Sequence, residues 1–409
     1  MAVPKLRFKT DDGSEFPEWE KTRLCTLMSF KNGITASREQ FGKGIKCISV
    51  LDILNNHHIV YDCIKSSVEI DDELIRNFSV EYGDFVFQRS SENVEDAGRA
   101  NVYLDKTKKA VFSGFVIRGK KISNYEPLFI NELLRTFFVR KQIMHKAQGA
   151  QHINIGQEIL NSVVVYLPSL PEQKKIASFL LTIDDIINQT QSELTAWQER
   201  KKGVMQKIFN REVRFKADDG SEFPEWEEKT FSEILSENKI PIPKPTNGYE
   251  RLGIRSHGKG TFHEYVPAGE GLDVDTMYVV EAHNLILNIT FAWEQAIAIT
   301  DNEDDGKLVS HRFPQYKFND GFDWHYFKYD ILDKKLKHEL GLASPGGAGR
   351  NRVLNKSDFL RIKRVVPCLD EQKKIVDCLS SLDDVINQIK AELSAWKEFK
   401  KGLLQQMFV

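Results

Sequence analysis

Cysteine is scarce in this sequence and unpaired in pattern: Cys25, Cys47, Cys63, Cys368 and Cys378 are odd in number and contain no CxxC spacing. Neither a disulfide framework nor a zinc site is expected to organise the chain, and a reducing cytoplasm is the expected compartment. There is no run of eighteen apolar residues, so no membrane helix is expected. The opening residues MAVPKLRFKT lack the apolar core of a secretion signal. Surplus positive charge is also missing, since 57 Lys and Arg face 59 Asp and Glu for a net charge of -2. Binding depends on local fields rather than totals, yet even by parts the bias is small. Residues 21–169 hold 20 basic against 16 acidic residues and residues 228–368 hold 19 against 20. Composition alone therefore gives no hint of nucleic acid. With 409 residues, 41% hydrophobic and 28% charged, the chain is too long for one ordinary core, and two globular domains are expected.

What the sequence does hold is internal repetition, which has to be read before anything else. RFKTDDGSEFPEWE (Arg7 to Glu20) returns as RFKADDGSEFPEWE (Arg214 to Glu227), offset by 207 with one difference, Thr10 against Ala217. LPEQKKIASFLLTIDDIINQTQSELTAWQERKKGVMQKIF (Leu170 to Phe209) returns as LDEQKKIVDCLSSLDDVINQIKAELSAWKEFKKGLLQQMF (Leu369 to Phe408), offset by 199 with 22 of 40 positions identical. Residues 21–169 and 228–368, which lie between these blocks, share no obvious identity. Val3 plus 207 and Val409 less 199 both arrive at Asn210, so the chain reads as a ring of two half-units opened at one of two equivalent junctions. The two termini are then expected close together near a pseudo-two-fold axis.

Within the long repeats, apolar positions recur in steps of four and three. Ile176, Leu180, Ile183, Ile187, Thr190, Leu194, Trp197, Lys201, Val204 and Ile208 form one stripe; Ile375, Leu379, Leu382, Ile386, Ile389, Leu393, Trp396, Lys400, Leu403 and Met407 form the other. A 3.5-residue stripe of this length predicts a coiled-coil seam, with both tryptophans in the core. Pro171 with Glu172, and Asp370 with Glu371, mark the helix starts. At 1.5 Å per residue each helix would span roughly 57 Å. The two-fold makes antiparallel pairing the simplest arrangement, with one insert at each end.

The inserts share an order of elements. Strands are predicted over 45–50, 84–88 and 110–118 in the first and over 284–289 and 295–299 in the second. Helices over 126–148 and 324–340 follow, then the glycine-containing loops AQGAQHINI (147–155) and ASPGGAGRNRV (343–353), then the short strands VVVYLP and RVVPCL. The expected fold is α+β: two α/β domains separated by two long antiparallel coiled-coil helices, pseudo-two-fold, with circular repeat organisation. Its parts are 1–20, insert 21–169, helix 170–209, a second short repeat 210–227, insert 228–368 and helix 369–409.

Divergent inserts, the LPEQKKI and LDEQKKI helix starts, and a glycine-polar loop about twenty residues before each helix together resemble the specificity subunit of type I restriction-modification systems. The resemblance covers essentially the whole chain, with Asp370 standing where the first copy has Pro171. It implies that each insert is a target-recognition domain reading one half of a split, asymmetric site in double-stranded DNA. It also implies that the paired helices set the spacing, that two methyltransferase subunits dock to modify an adenine in each half, and that two motor-nuclease restriction subunits join for cleavage. S-adenosylmethionine, ATP and Mg would belong to those partners, and the chain itself would carry no catalytic residue, cofactor or metal.

Base readout needs forked donors such as Arg, Asn and Gln at groove edges, with basic and hydroxyl groups on phosphates. The densest clusters in the first insert are Gln88, Arg89, Ser90, Ser91 and Asn93, and Gln148, Gln151, His152 and Asn154. Those in the second are Arg255, Ser256, His257 and Lys259; Ser310, His311 and Arg312; and Arg350, Asn351 and Arg352. Pro345 to Gly349 form a run with few side chains to hold a backbone or phosphate off. Two features suggest catalysis on their face. Glu172-Gln173-Lys174 and Glu371-Gln372-Lys373 have the ExK spacing of a nuclease metal site, but they open helices, where acids favour the N-terminal dipole. Asp184-Asp185 and Asp383-Asp384 flank seam positions and are expected to point outward. No GxxxxGK[ST] occurs, and no proline pair occurs that could form the NPPY or DPPF loop of an adenine methyltransferase.

Overall fold

A computed structural model describes residues 4–147, 153–271, 273–346 and 352–408. The chain divides into two compact units, residues 1–192 with 390–409, and residues 193–389. No helix among the described residues is long and apolar enough to cross a membrane.

The first unit is built on a four-stranded antiparallel sheet ordered Met28–Asn32, Val116–Lys121, Phe85–Gln88, Ala100–Val102. Phe85-Val86-Phe87 is apolar without alternation because the sheet is covered on both faces. Phe85 and Phe87 join one core with Met28, Ile117 and Phe129, while Val86 joins a second with Ile48, Phe112 and Val116. A smaller sheet sets Phe41–Ile48 antiparallel to Ser67–Val68 and parallel to Val111–Phe112. In the second unit a four-stranded sheet runs Leu235–Asn238, Gln315–Phe318, Leu285–Leu287, Ile297–Ile299, the same order and sense. There Leu285 and Leu287 face one core and Ile286 the other. Again a parallel pair, Tyr249–Ile254 with Leu308–Val309, adjoins it. Two inserts without sequence identity are thus one design.

Four element predictions need correction. The helix expected over 126–148 is two helices, Pro127–Arg135 and Phe137–Lys146, divided at Thr136, whose hydroxyl accepts from Val139 N and caps the second. The helix over 324–340 likewise divides into Trp324–Asp330 and Lys334–Leu342, with Asp333 as the new cap. The strand expected over 45–50 stops at Ile48, because Ser49 starts the helix Val50–Asn55, donating through both its N–H and its hydroxyl to Asp52 Oδ2. The region 110–118 is two strands joined by a turn.

The long helices span Leu170–Phe209 and Leu369–Met407. None of the ten seam positions in either is exposed, although Trp197 and Trp396 are half-buried rather than core. In the first unit Ile176, Leu180 and Ile183 share a core with Leu403, Met407 and Phe408; in the second Ile375 and Leu379 share one with Ile208. Direction follows from the first unit's contacts. Arg7 binds Glu172 while the adjacent Leu6 N donates to Gln406 O at 3.0 Å, and Lys400 meets Asp184 at 2.7 Å, so one helix ascends as the other descends. Val213 N donating to Lys207 O at 3.3 Å in the second unit is the Leu6–Gln406 bond displaced by 207 and 199. The described ends of the chain therefore meet as the middle of the chain does, as the ring requires.

Candidate nucleic-acid interface

In each unit three segments far apart in sequence converge where the two central strands of the large sheet end, and together they form one edge of it. The strand Phe85–Gln88 runs into a loop at Arg89, whose N–H donates to Phe115 O at 2.9 Å and whose carbonyl accepts from Ile155 N at 2.9 Å. Ile289 stands in the same position after Leu285–Leu287, donating to Arg312 O at 3.0 Å and accepting from Leu354 N at 2.8 Å. Both loops return to the sheet through a residue of positive φ, Gly98 at 68° and Gln295 at 62°. Gly98 has a second reason to be glycine, since a Cβ there would lie 2.6 Å from Ile143 Cγ2. The loops are braced from behind: Arg140 Nη2 donates to the carbonyls of Glu95 and Ala97, and Gln295 Nε2 donates to Ile331 O at 2.8 Å. Burial, with Arg99 nearby, pulls Arg140 down to about 10, which still leaves it charged at neutral pH.

The sequence-selected clusters of the first insert come together here. Ser90 and Ser91 pair antiparallel with Asn154 and Ile153, and the Ser90 hydroxyl donates to Asn154 Oδ1. Arg89 is half-buried with Nη1 on Gly114 O at 3.3 Å, and exposed Asn93 is held by Asp96 at 2.9 Å. Gln88 is 4% exposed and donates to Ser90 O, and Ser91 is buried, so both shape the loop from inside. Gln148, Gln151 and His152 lie outside the described residues.

Around Ile289–Gln295 the clusters of the second insert also gather. Ser256 Oγ donates to Glu294 Oε2 at 2.9 Å, and the backbone N–H groups of His257 and Gly258 donate to Glu294 O and Gln295 O. Arg352 stacks over the Trp293 ring at 5.4 Å. Arg255 lies 5.1 Å over Phe262, Lys259 and His311 are exposed, and Ser310 is buried beneath the turn that presents Arg312. Arg350 and Asn351 lie outside the described residues. Beside this edge a groove of about 610 Å³ is lined by Trp293, Lys334, Lys337, His338, Gly346 and Arg352. Three donors on one short helix face suit a phosphate backbone. The sequence search missed Lys334, Lys337 and His338, although the run DKKLKHEL carries the signal. It also missed Thr290 to Glu294, which carries none.

The catalytic look-alikes resolve into structure. Glu172 and Glu371 are fully buried, each gripped by an arginine of the short repeat: Arg7 at 3.0 and 2.7 Å, Arg214 at 3.2 and 2.8 Å. Gln173 and Gln372 accept from Glu126 N and Asp323 N and donate to Pro168 O and Pro367 O, fixing the linker before each long helix. The EQ dipeptides thus tie the repeat to its insert, leaving no free carboxylate for a metal.

The expectation that both aspartate pairs point outward is corrected. Asp185 and Asp384 are exposed, but Asp184 is 9% exposed and Asp383 half-buried, each facing the lysine that occupies a seam position of the opposing helix. A cation on an apolar seam needs a counter-charge, and the residue next to the seam supplies it. His57 and Glu132 complete the first of these centres, with His57 Nε2 3.0 Å from Asp184 and Lys400 3.8 Å from Glu132. His57, Glu132 and Asp184 stand close enough to share a cation. However, Lys400 and Arg135, the latter 3.3 Å from Glu132, already neutralise the carboxylates.

Comparison with known proteins gives a consistent result. A family described as type I restriction modification DNA specificity domain matches residues 17–196 and 281–395. A Methanocaldococcus jannaschii protein provisionally named the MjaX type I restriction enzyme specificity subunit is 24% identical over 97% of this chain and 94% of its own. The MjaVIII specificity subunit of the same organism is 24% identical over 73% of each chain. Among solved structures, a type I restriction-modification S subunit from M. genitalium aligns with a TM-score of 0.53 at 15% identity over all of this chain and 99% of that one.

Proposed function

The chain belongs to the type I restriction-modification DNA specificity family, and from that membership we propose that it gives such a complex its DNA sequence preference without catalysing either reaction. Each insert reads one half of a bipartite, asymmetric target in double-stranded DNA. The paired helices set the distance between halves and dock two methyltransferase subunits, which two restriction subunits join. S-adenosylmethionine, ATP and Mg serve those partners. The observation that carries this reading is that both units build the same three-segment edge, from Arg89 and from Ile289, and then equip it with unlike side chains. A common backbone bearing different donors is what reading two different half-sites requires.

The test is to exchange residues 21–169 for the first insert of another such subunit, supply the methylating partner, and map modified adenines. One half of the target is expected to change while the other stays. If both change, the assignment of one insert to one half is wrong. A pure scaffold without DNA contact is separated by salt: binding by the complex that weakens steeply with ionic strength excludes it.

A further inference from the structure

Next to each reading loop the two units carry the same four-residue turn, which sequence comparison does not reveal. Val111–Phe112 leads into Ser113, Gly114, Phe115 and Val116, closed by Val116 N on Ser113 O at 2.9 Å. Leu308–Val309 leads into Ser310, His311, Arg312 and Phe313, closed by Phe313 N on Ser310 O at 3.0 Å. Each turn follows the strand of the parallel pair and enters the large sheet, and its third residue gives its carbonyl to the residue that opens the loop. Phe115 and Arg312 are therefore one position of one fold. Phe115 is 67% exposed, and the Arg312 side chain is exposed with no hydrogen bond or ion pair among the described residues. A single exposed phenylalanine is ordinary on a protein surface. Here it stands on a closed turn, held by Arg89 Nη1 on Gly114 O at 3.3 Å, at the place where the other copy presents a free guanidinium.

Resting on the DNA-reading function proposed above, we infer that positions 115 and 312 are paired specificity determinants of opposite chemistry. The Phe115 ring contacts the 5-methyl of a thymine, the one apolar group on the major-groove edge, and Arg312 forks onto O6 and N7 of a guanine. A rigid turn suits this task because discrimination depends on placing the reading group precisely enough that a wrong base leaves it unmatched.

The experiment is selection from random-sequence double-stranded DNA by the full chain with its methyltransferase partner, for the wild type, Phe115→Ala and Arg312→Ala. The wild type is expected to enrich a two-part motif. Phe115→Ala relaxes one T·A position in one part only. Arg312→Ala relaxes one G·C position in the other part and weakens binding to the wild-type target about tenfold or more, the scale of one good arginine–guanine pair. Both side chains are exposed, so unchanged circular dichroism and assembly are required of each variant before its motif is read. A motif unchanged by either substitution, or relaxed in both parts by one, overturns the inference and leaves the functional reading standing. A wild-type complex that enriches nothing overturns both.

Discussion

The two copies of the short repeat differ in the hydrogen bonding of their tryptophan, and that difference predicts unequal responses to the same substitution. Trp226 Nε1 donates to Glu371 Oε2 at 3.0 Å, whereas Trp19 Nε1 is buried without a partner among the described residues. Trp→Phe removes the indole N–H in both. In either copy it costs about 1–2 kcal/mol of packing, a fraction of the 3–5 lost when a buried aromatic is cut to alanine. At Trp226 the lost bond to a buried carboxylate adds about 1.5–3 kcal/mol, for a total of about 2.5–5. At Trp19 the substitution instead removes an unsatisfied donor, which returns about 1–3 kcal/mol and leaves little net change. Unfolding of a two-unit chain is not one transition, so the assay is hydrogen exchange, which reports local opening. Trp226→Phe should lower protection of Glu227–Thr230 and Lys363–Val366 about hundredfold or more, at tenfold per 1.4 kcal/mol. Trp19→Phe should lower protection of Glu20–Arg23 and Val164–Leu167 less than about tenfold. Equal losses, or a larger loss at Trp19, would refute the reasoning.

Two further substitutions test buried charge. Arg364 binds Asp330 through two bonds at 3.0 and 2.8 Å and Asp333 at 3.1 Å, with Asp330 1% exposed. Arg364→Met should cost about 3–5 kcal/mol by stranding Asp330, lowering the second unit's melting temperature by about 6 °C or more; a shift under about 2 °C would count against it. For Asp184 burial opposes ionisation, but hydrogen bonds from His57 and Lys400 outweigh it and hold the carboxyl below its ordinary 3.8. A depressed carboxylate stabilises above its unfolded value and ceases to do so as pH falls through its folded one. The gap in denaturant midpoint between wild type and Asp184→Asn should therefore be full at pH 6 and fade below 3.8, and a gap independent of pH would contradict the assignment.

How much of this was legible in the sequence depends on the kind of signal. The long helices were, because period 3.5 and an offset of 199 are counted directly, and no seam position proved exposed. Helix breaks at Thr136 and Asp333 were not: each is a side chain choosing a cap over an apolar pattern that continues through it. Clusters such as Ser90 and Asn154 were found separately, but their pairing across 64 residues was invisible, since strand partners leave no local mark. The correspondence of Ser113–Val116 with Ser310–Phe313 rests on backbone bonds that any side chains can make. Such sites diverge freely on a fixed frame, and for the same reason they are where a reader of different sequences would vary.

The inward aspartates show what the apolar stripe could not specify. A seam of Ile and Leu at constant spacing fits equally well after a slip of seven residues, so packing alone leaves its register open. In this chain 184 faces 400 and 201 faces 383, two contacts with the same sum, each within its own unit. Slipping by one heptad would set Lys400 against Ala177 or Gln191, and Lys201 against Val376 or Lys390. Each alternative strands a half-buried ammonium or opposes it to a like charge, a cost of several kcal/mol that the correct register avoids. The lysines interrupting the stripe, Lys201 and Lys400, are therefore the residues that make it read one way. A buried ion pair adds little stability over a hydrophobic replacement, so their place on the seam is better explained by alignment than by strength.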